Sequence, residues 1–163
     1  MKRIPLTKGY WVTVDDEDWP EMMLWSWYAE EVGDKVYACR RDHDLPGKPK
    51  VYMHRQLLGA GVDQKVDHRD LDGLNNRRKN LRLATQAGNT TNRPKNRRNA
   101  SSPFKGVVRS RTRWLAQIEH KGKRRHLGMF DDQVSAARAY DSAAKDLFGE
   151  FAYLNFPEQQ HAA

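Results

Sequence analysis

The stretch KVDHRDLDGLNNRRKNLRLATQAGNTTNR, Lys65 to Arg93, decides how the middle of the chain folds. QKVDH, which begins one residue earlier, has the composition of a short strand, and DLDGLNNRRKN consists almost entirely of turn-forming and charged residues. LRLAT alternates again, with Leu81 and Leu83 on one face, and Thr85 is a suitable N-cap for a helix that runs to about Asn92. The stretch therefore predicts the order strand, loop, strand, helix.

Residues 1–61 predict a small β-rich unit. GYWVTVDDED places alternate apolar residues on one face of a strand, and WPEMMLWSWYAEE predicts a short helix or turn before a strand near Trp27. KVYACRRD and KVYMHRQLLG predict two more strands, joined by the turn residues of HDLPGKP. The Trp and Met residues of this part are expected to form its core, and His54 is expected to be a packed strand histidine.

Residues 103–157 predict a second fold. FKGVVRS, RWLAQIEH and KRRHLGMF alternate as three short strands, and a helix follows that is capped by Asp131 or Asp132. The helix has to cover one face of the sheet, because neither element buries its apolar side alone. The opposite face is then expected to carry these residues beside Trp114: Arg109, Arg111, Arg113, Arg124 and Arg125.

The predicted fold class is thus α+β in three parts. A β-rich unit at 1–61 precedes a strand-loop-strand-helix unit at 62–93, and a three-stranded antiparallel sheet with one helix occupies 103–157. Residues 94–102 form a linker, since NRPKNRRNASSP carries several cations and no apolar residue larger than alanine. Residues 158–163 are a tail.

The positive charge is concentrated in the middle of the chain. The 163 residues carry a net charge of +8. Residues 51–102 hold 11 Lys and Arg against 4 Asp and Glu, whereas residues 1–50 hold 8 against 10. A local cationic excess favours a polyanionic partner, because binding releases condensed counterions. Nucleic acid is therefore the predicted class of partner.

Composition also limits the compartment. The single cysteine excludes an internal disulfide, and no apolar run approaches the roughly 18 residues of a membrane span. The N-terminus lacks the apolar region of a secretory signal. We expect a cytoplasmic protein that is not secreted.

The residues around the Asp-His pair fit phosphodiester hydrolysis, which needs a base for water and a cation for the phosphate charge. Asp67 offers a hard oxygen ligand to one Mg²⁺ or Mn²⁺ ion, and Asn89 offers a carbonyl oxygen. His68 is the nearby side chain that titrates near neutral pH. Asn80 can hold the loop through both halves of its amide. Asp67 and His68 can share a site only if the strand ends or bulges there.

At these residues the chain resembles the HNH nucleases, in which a ββα-metal unit grips one divalent ion. VDHRDLDGLNNRRKNLRLAT and the later NTTN are similar to the phage-borne and homing subgroup, in which Asn replaces the final His. The resemblance implies that His68 is the general base, Asn80 the middle Asn, and Asp67 and Asn89 the metal ligands. It assigns no firm role to His54.

Residues 103–157 resemble the APETALA2/ethylene-response DNA-binding domain through KGV, LGMFDD, AARAYDSAA and YLNFP. That family lays a three-stranded sheet in the major groove of DNA. The resemblance and the basic linker together imply these DNA contacts: Arg93, Lys95, Arg97, Arg98, Lys105, Arg109, Arg111, Arg113, Trp114 and Arg124.

The predicted function is metal-dependent cleavage of double-stranded DNA at a preferred sequence by a homing or nicking enzyme, with a monomer favoured. One alternative is a DNA-binding transcriptional regulator with an inactive nuclease unit. RNA binding is a further alternative, which flat strand faces disfavour because the major groove of RNA is narrow.

Overall fold

The computed structural model describes residues 1–84 and 101–157, and the chain divides into two compact units, 1–89 and 90–163. Both units contain antiparallel sheets, and the second contains a long helix, so the α+β class is confirmed. Among the described residues, no helix is long and apolar enough to cross a membrane.

The first unit consists of three small antiparallel sheets and two short helices. Its helices are α1 (Trp19–Met22) and α2 (Met53–Leu57). Its strands are β1 (Lys2–Pro5), β2 (Trp11–Val14), β3 (Tyr28–Val32), β4 (Lys35–Arg41), β5 (Lys50–Tyr52), β6 (Lys65–His68) and β7 (Leu81–Ala84). The paired sets are β1–β2, β3–β4–β5 and β6–β7. The strands predicted in QKVDH and LRLAT are confirmed as β6 and β7.

One core joins the parts of this unit. Val12, Val14, Met22 and Met53 are 0% exposed, and they form a single cluster with Leu81 of β7. The predicted boundary between residues 61 and 62 therefore lies inside one packed unit. A short β-rich segment cannot bury enough apolar surface alone, and here it shares a core with the β6–β7 hairpin.

The predicted strand KVYMHRQLLG is wrong beyond its first residues. β5 ends at Tyr52, and α2 begins at Met53. Met53 and Leu57 lie four residues apart on one helical face, and both are buried in the core. That burial favours the helix over a longer strand, and it turns His54 toward the interior, where it is 8% exposed.

Strand β2 also contacts the loop between β6 and β7. The Thr13 amide donates to the Leu74 carbonyl at 2.9 Å, and the Thr13 carbonyl accepts from the Asn76 amide at 2.8 Å. Thr13 and Asn75 form an isolated parallel bridge. The loop is thus tied to a strand some sixty positions earlier in the chain.

The second unit contains a three-stranded sheet and a helix, as predicted. The strands are β8 (Val107–Ser110), β9 (Arg113–His120) and β10 (Lys123–Phe130), in the order β10–β9–β8, and the helix is α3 (Gln133–Phe148). Asp132 caps α3, because its carboxylate accepts from the amides of Val134 and Ser135 at 2.9 and 2.8 Å. Ala137, Tyr140 and Ala144 are buried on the side of α3 that covers the sheet.

The YLNFP motif closes this second unit. Asp141 of α3 accepts hydrogen bonds from the amides of Asn155 and Phe156, each at 2.8 Å. The Asn155 side chain in turn bonds the backbone of Lys105, accepting at 2.6 Å and donating at 3.0 Å. A buried carboxylate with several donors is a stabilising arrangement, so this motif anchors the segment before β8 to the helix.

Candidate active site and nucleic-acid interface

His68 is the last residue of β6 and is 6% exposed. Its ring centroid lies 5.0 Å from that of His54 in an edge-to-face contact and 6.0 Å from that of Tyr37. Its Nε2 atom lies 2.9 Å from Oδ1 of Asn76. The ring is therefore held by aromatic neighbours and by a directional polar contact with Asn76.

Burial lowers the pKa of His68 below its ordinary value, although the hydrogen bond to Asn76 acts in the opposite direction. Burial also lowers the pKa of His54 to about 3, and the neighbouring His68 adds to that effect. Both imidazoles are consequently neutral at neutral pH. A neutral imidazole is the form that can accept a proton.

Asn80 holds the loop that follows His68. Its Oδ1 atom accepts from the Asp70 amide at 3.1 Å. Its Nδ2 atom donates to the Asp70 carboxylate at 2.8 Å and to the Asn75 carbonyl at 2.7 Å. Both halves of the amide are thus bonded to the loop, which is the arrangement that its predicted role requires.

Unpartnered buried atoms concentrate around His68. Four buried side-chain nitrogen or oxygen atoms lack a hydrogen-bond partner within residues 1–84 and 101–157. They are His54 Nδ1, Asn75 Oδ1, Asn76 Nδ2 and Arg40 Nη1. Two of these residues touch His68 directly, and Asn75 belongs to the same loop. Since unsatisfied buried groups cost free energy, their concentration marks this place as more than a packed core.

Asp67 lies in a different setting from His68. The β6–β7 ladder is regular through both residues, pairing Asp67 with Arg82 and His68 with Leu81, so the strand has no bulge there. The Arg82 guanidinium donates twice to Asp67 Oδ2, at 2.9 and 2.6 Å, and both side chains are buried. Neighbouring side chains of a regular strand point to opposite faces. The bulge that would turn both side chains toward one pocket is absent.

The second predicted metal ligand, Asn89, lies outside the described residues, as does the predicted helix after Thr85. Within the described part of the chain, no cluster of three His, Cys, Asp or Glu side chains could hold a metal ion. The metal centre and the ββα-metal motif therefore remain predictions.

Asn76 is the site residue that the sequence interpretation missed. It is 0% exposed and bonds both His68 and, through its backbone, Thr13. The available signal was its place in the NN pair inside a loop with few apolar residues. Nothing in its spacing shows that its side chain turns inward.

Two predicted DNA contacts of the second unit line one cleft. Lys105 and Arg124 lie with Gln117 and Glu119 around a cavity of about 330 Å³. Burial lowers the pKa of Lys105 to about 8. The exposed Arg124 is the cross-strand partner of Glu119 on β9. This cleft carries both signs of charge, so it is not a uniformly cationic surface.

The expectation of five arginines on the open face of the sheet is wrong for Arg109 and Arg125. Trp114 packs against the core under α3, and Arg109 is its cross-strand partner, with the guanidinium 4.8 Å from the indole. Arg125 pairs with Ile118, which belongs to the core on the helix side. Cross-strand partners share a face. Both arginines are therefore attached on the helix side of the sheet, and the half-buried Trp114 packs against the core there.

The remaining predicted contacts of this unit lie at its turns. Arg111 adopts a φ of 53° between β8 and β9, and its carbonyl accepts from the Arg109 side chain at 2.9 Å. Arg113 donates to the exposed Asp131 carboxylate and to the Met129 carbonyl, each at 2.9 Å. The linker contacts lie outside the described residues; they are Arg93, Lys95, Arg97 and Arg98.

Comparison with known proteins supports both the HNH resemblance and the APETALA2/ethylene-response resemblance. The chain is 32% identical over 155 residues to an uncharacterized HNH endonuclease of Acanthamoeba polyphaga mimivirus, an alignment that covers 91% of this chain and 76% of the relative. No protein-family model matches the chain.

A shorter segment is similar to plant proteins. Over 64 residues, 37% of this chain, it is 52% identical to dehydration-responsive element-binding protein 2D of Arabidopsis thaliana. Over 58 residues, 35% of this chain, it is 50% identical to an AP2/ERF and B3 domain-containing protein of Oryza sativa subsp. japonica. These alignments span 31% and 16% of the plant proteins. The chain therefore belongs to the HNH endonuclease family and includes a segment that is similar to APETALA2/ethylene-response proteins.

Proposed function

We propose that the chain is a metal-dependent endonuclease that hydrolyses phosphodiester bonds of duplex DNA at a preferred sequence. One observation carries the proposal: a buried histidine is held by a directional hydrogen bond at the end of β6, next to a loop that the Asn80 side chain holds in place. One such site per chain favours nicking by a monomer. Homing, the spread of its own coding element, rests on the resemblance to phage-type enzymes.

In the proposed reaction, His68 accepts a proton from a water molecule as the water oxygen attacks phosphorus. The phosphorus–oxygen bond to the 3′ oxygen breaks, and that oxygen departs in line with the attack. Asn80 keeps the loop rigid, so the imidazole does not have to be ordered at the moment of reaction. Asn76 holds the ring through its contact with the Nε2 atom of His68.

Asp67 and Asn89 are the residues proposed to hold one Mg²⁺ or Mn²⁺ ion. Asp67 fits in donor type, because a carboxylate oxygen is a hard ligand and Mg²⁺ takes one or two carboxylates while keeping several waters. Its Oδ2 atom is already shared with Arg82, so the ion would have to share the carboxylate with the guanidinium. When bound, the ion supplies charge stabilisation at the departing oxygen.

A plasmid-nicking assay tests this function. We expect the full chain to convert supercoiled DNA to the nicked form in Mg²⁺ or Mn²⁺, and a chelator to reduce the rate by at least about 10³-fold, because the developing charge then has no counter-cation. Ca²⁺ at the same ionic strength is the control for nonspecific screening. Unchanged supercoiling under all of these metals would contradict the proposal.

A non-cleaving DNA-binding regulator is the second candidate, and one observation favours it. The Asp67–Arg82 pair is buried, so the carboxylate predicted to bind metal already has a cationic partner. The same assay decides between the two functions. A regulator would bind duplex DNA in Mg²⁺ and leave it supercoiled.

The second unit is proposed to anchor the nuclease on duplex DNA and to extend the recognised sequence. A tethered domain raises the local concentration of the nuclease at its site. Lys105 and Arg124 are the proposed contacts in the cleft, and the linker cations are proposed to follow the phosphates. Arginine suits bidentate contact with guanine, and phosphate contacts set the orientation.

Lys105 predicts an unusual pH dependence of DNA binding. Burial lowers the pKa of Lys105 to about 8, so the side chain is cationic at pH 7 and loses its charge as pH rises through 8. We expect the affinity for duplex DNA in chelator to fall by about tenfold from pH 7 to pH 9, the equivalent of one charge-assisted contact. Fluorescence anisotropy at constant salt measures this fall.

Lys105→Arg is the informative variant, because arginine stays protonated at both pH values. It should keep its affinity at pH 9, whereas the exposed Lys123→Arg should behave as the wild type does. An identical fall in wild type and Lys105→Arg would show that Lys105 makes no such contact.

A further inference from the structure

Asn76 presents a hydrogen-bond acceptor to His68 inside the protein. Asn76 Oδ1 lies 2.9 Å from His68 Nε2, and Asn76 is 0% exposed. An amide oxygen can only accept. The imidazole therefore carries its hydrogen on Nε2, and the basic lone pair of the neutral ring is on Nδ1.

Backbone contacts hold Asn76 in place. Its amide donates to the Thr13 carbonyl at 2.8 Å, and the Thr13 amide donates to the Leu74 carbonyl at 2.9 Å. Strand β2 is thus hydrogen-bonded to the loop at residue 74 and at residue 76, on both sides of residue 75. The Val12 and Val14 side chains that flank Thr13 are fully buried, so this strand is itself fixed by the core.

Two carboxylates after β2 fix the next two loop residues. Asp15 accepts from the Arg77 side chain at 2.9 Å and from the Arg78 amide at 2.8 Å. Asp18, which is 5% exposed, accepts two contacts from Arg78 Nε and one from Nη2 at 2.7 Å. A bidentate pair of this kind adds geometric specificity as well as stability. The loop cannot shift relative to β2 without breaking these contacts.

Aromatic contacts also restrict the orientation of the His68 ring. His54 contacts it edge to face, and Tyr37 contacts both histidines. A flat ring that contacts these aromatic neighbours and the Asn76 amide oxygen has few orientations that keep all three contacts. Rotation of the ring by half a turn would place a carbon atom opposite Asn76 Oδ1 and lose the hydrogen bond.

We propose that Asn76 is the positioning residue of the site: it selects the Nε2–H tautomer of His68 and directs Nδ1 as the proton acceptor, and the N-terminal strand β2 acts through it. The catalytic consequence rests on the proposed nuclease function. The selection of the tautomer does not, because the hydrogen bond exists whether or not DNA is cut.

Two variants of Asn76 separate positioning from packing. Asn76→Leu keeps most of the volume and removes the acceptor, whereas Asn76→Asp keeps an acceptor oxygen and buries a charge. A packing role predicts that Asp is the more damaging replacement, because burying a carboxylate is costly. Positioning predicts the opposite order for activity. Asn76→Leu should lower kcat by about 10²-fold with KM for DNA within about twofold, and Asn76→Asp should stay within about tenfold of wild type.

Ring ¹⁵N chemical shifts of the full chain supply a readout that is independent of cleavage. The wild type should show His68 protonated at Nε2 and unprotonated at Nδ1, and Asn76→Leu should show mixed tautomers. Wild-type kcat in Asn76→Leu, or an Nδ1–H tautomer in the wild type, would overturn the inference. A wild-type chain that cuts no DNA removes the proposed function, and the spectrum then still decides the role of Asn76.

Discussion

We expect the His68→Ala chain to nick duplex DNA at least about 10³-fold more slowly than the wild type, while its affinity for DNA stays within about twofold. Removing a general base typically costs two to four orders of magnitude in rate. Binding should persist, because the predicted contacts with phosphates and bases lie in other parts of the chain. Lost cutting together with retained DNA binding distinguishes a general base from a residue that only supports the fold.

His68 is buried, so a rate loss in the alanine variant has to be separated from unfolding. His68→Gln serves this purpose, since its side-chain amide can still donate to Asn76 but accepts no proton. Thermal unfolding shows whether both variants keep their fold, and His43→Ala, which removes an exposed histidine outside the site, is the matched control. Plasmid nicking and anisotropy in chelator measure the two quantities. Normal cutting by folded His68→Gln would exclude His68 as the base.

The Gly106→Ala variant is expected to destabilise the second unit by about 2 to 4 kcal/mol. Gly106 has a φ of +75°, and a Cβ there would lie 1.9 Å from Cδ2 of Tyr140 and 2.7 Å from the Gln117 carbonyl. The left-handed backbone costs an alanine about 1 kcal/mol, and overpacking a rigid core adds about 1 to 3 kcal/mol. Tyr140 is 3% exposed and central to α3, so it has no room to move.

Gly122→Ala is the matched control for this prediction. Gly122 has a similar φ of +72°, but a Cβ there would meet nothing within 4 Å. It should therefore cost only about 1 kcal/mol from the backbone. Hydrogen exchange of the β9 and α3 amides measures each loss in the second unit alone, which a whole-chain melting curve does not. Equal losses in the two variants would show that the contact with Tyr140 is not limiting.

The elements of the fold were predictable where neighbouring residues decide them. The alternation of Val12 and Val14 marks β2, Asp132 marks the start of α3, and QKVDH and LRLAT mark the two strands of the central hairpin. The prediction failed at Met53, because a four-residue spacing of apolar side chains within a β-rich context is ambiguous until the core that receives them is known. The family resemblance likewise followed from short motifs at fixed spacing, and the mimivirus relative confirms it.

The faces and partners of charged residues were not predictable in the same way. Arg109 and Arg125 were predicted to lie on the open face of the sheet. The register of β9 with its two neighbouring strands places them on the helix side instead. Asp67 was predicted to be a metal ligand, and the structure shows that Arg82 lies opposite it on β7. A strand pairing fixes these relations, and no local pattern specifies which residues face each other.

The sequence by itself therefore determined the α+β class, the two family resemblances and the positions of His68 and Asn80 along the chain. Only the tertiary structure decided that Asn76 turns inward onto His68, that His54 lies against the same ring, and that β2 holds the loop from about sixty residues away. The physical reason is the range of the interactions. Propensity, capping and alternation act over a few residues, whereas a buried hydrogen bond between distant segments exists only after the core has brought them together.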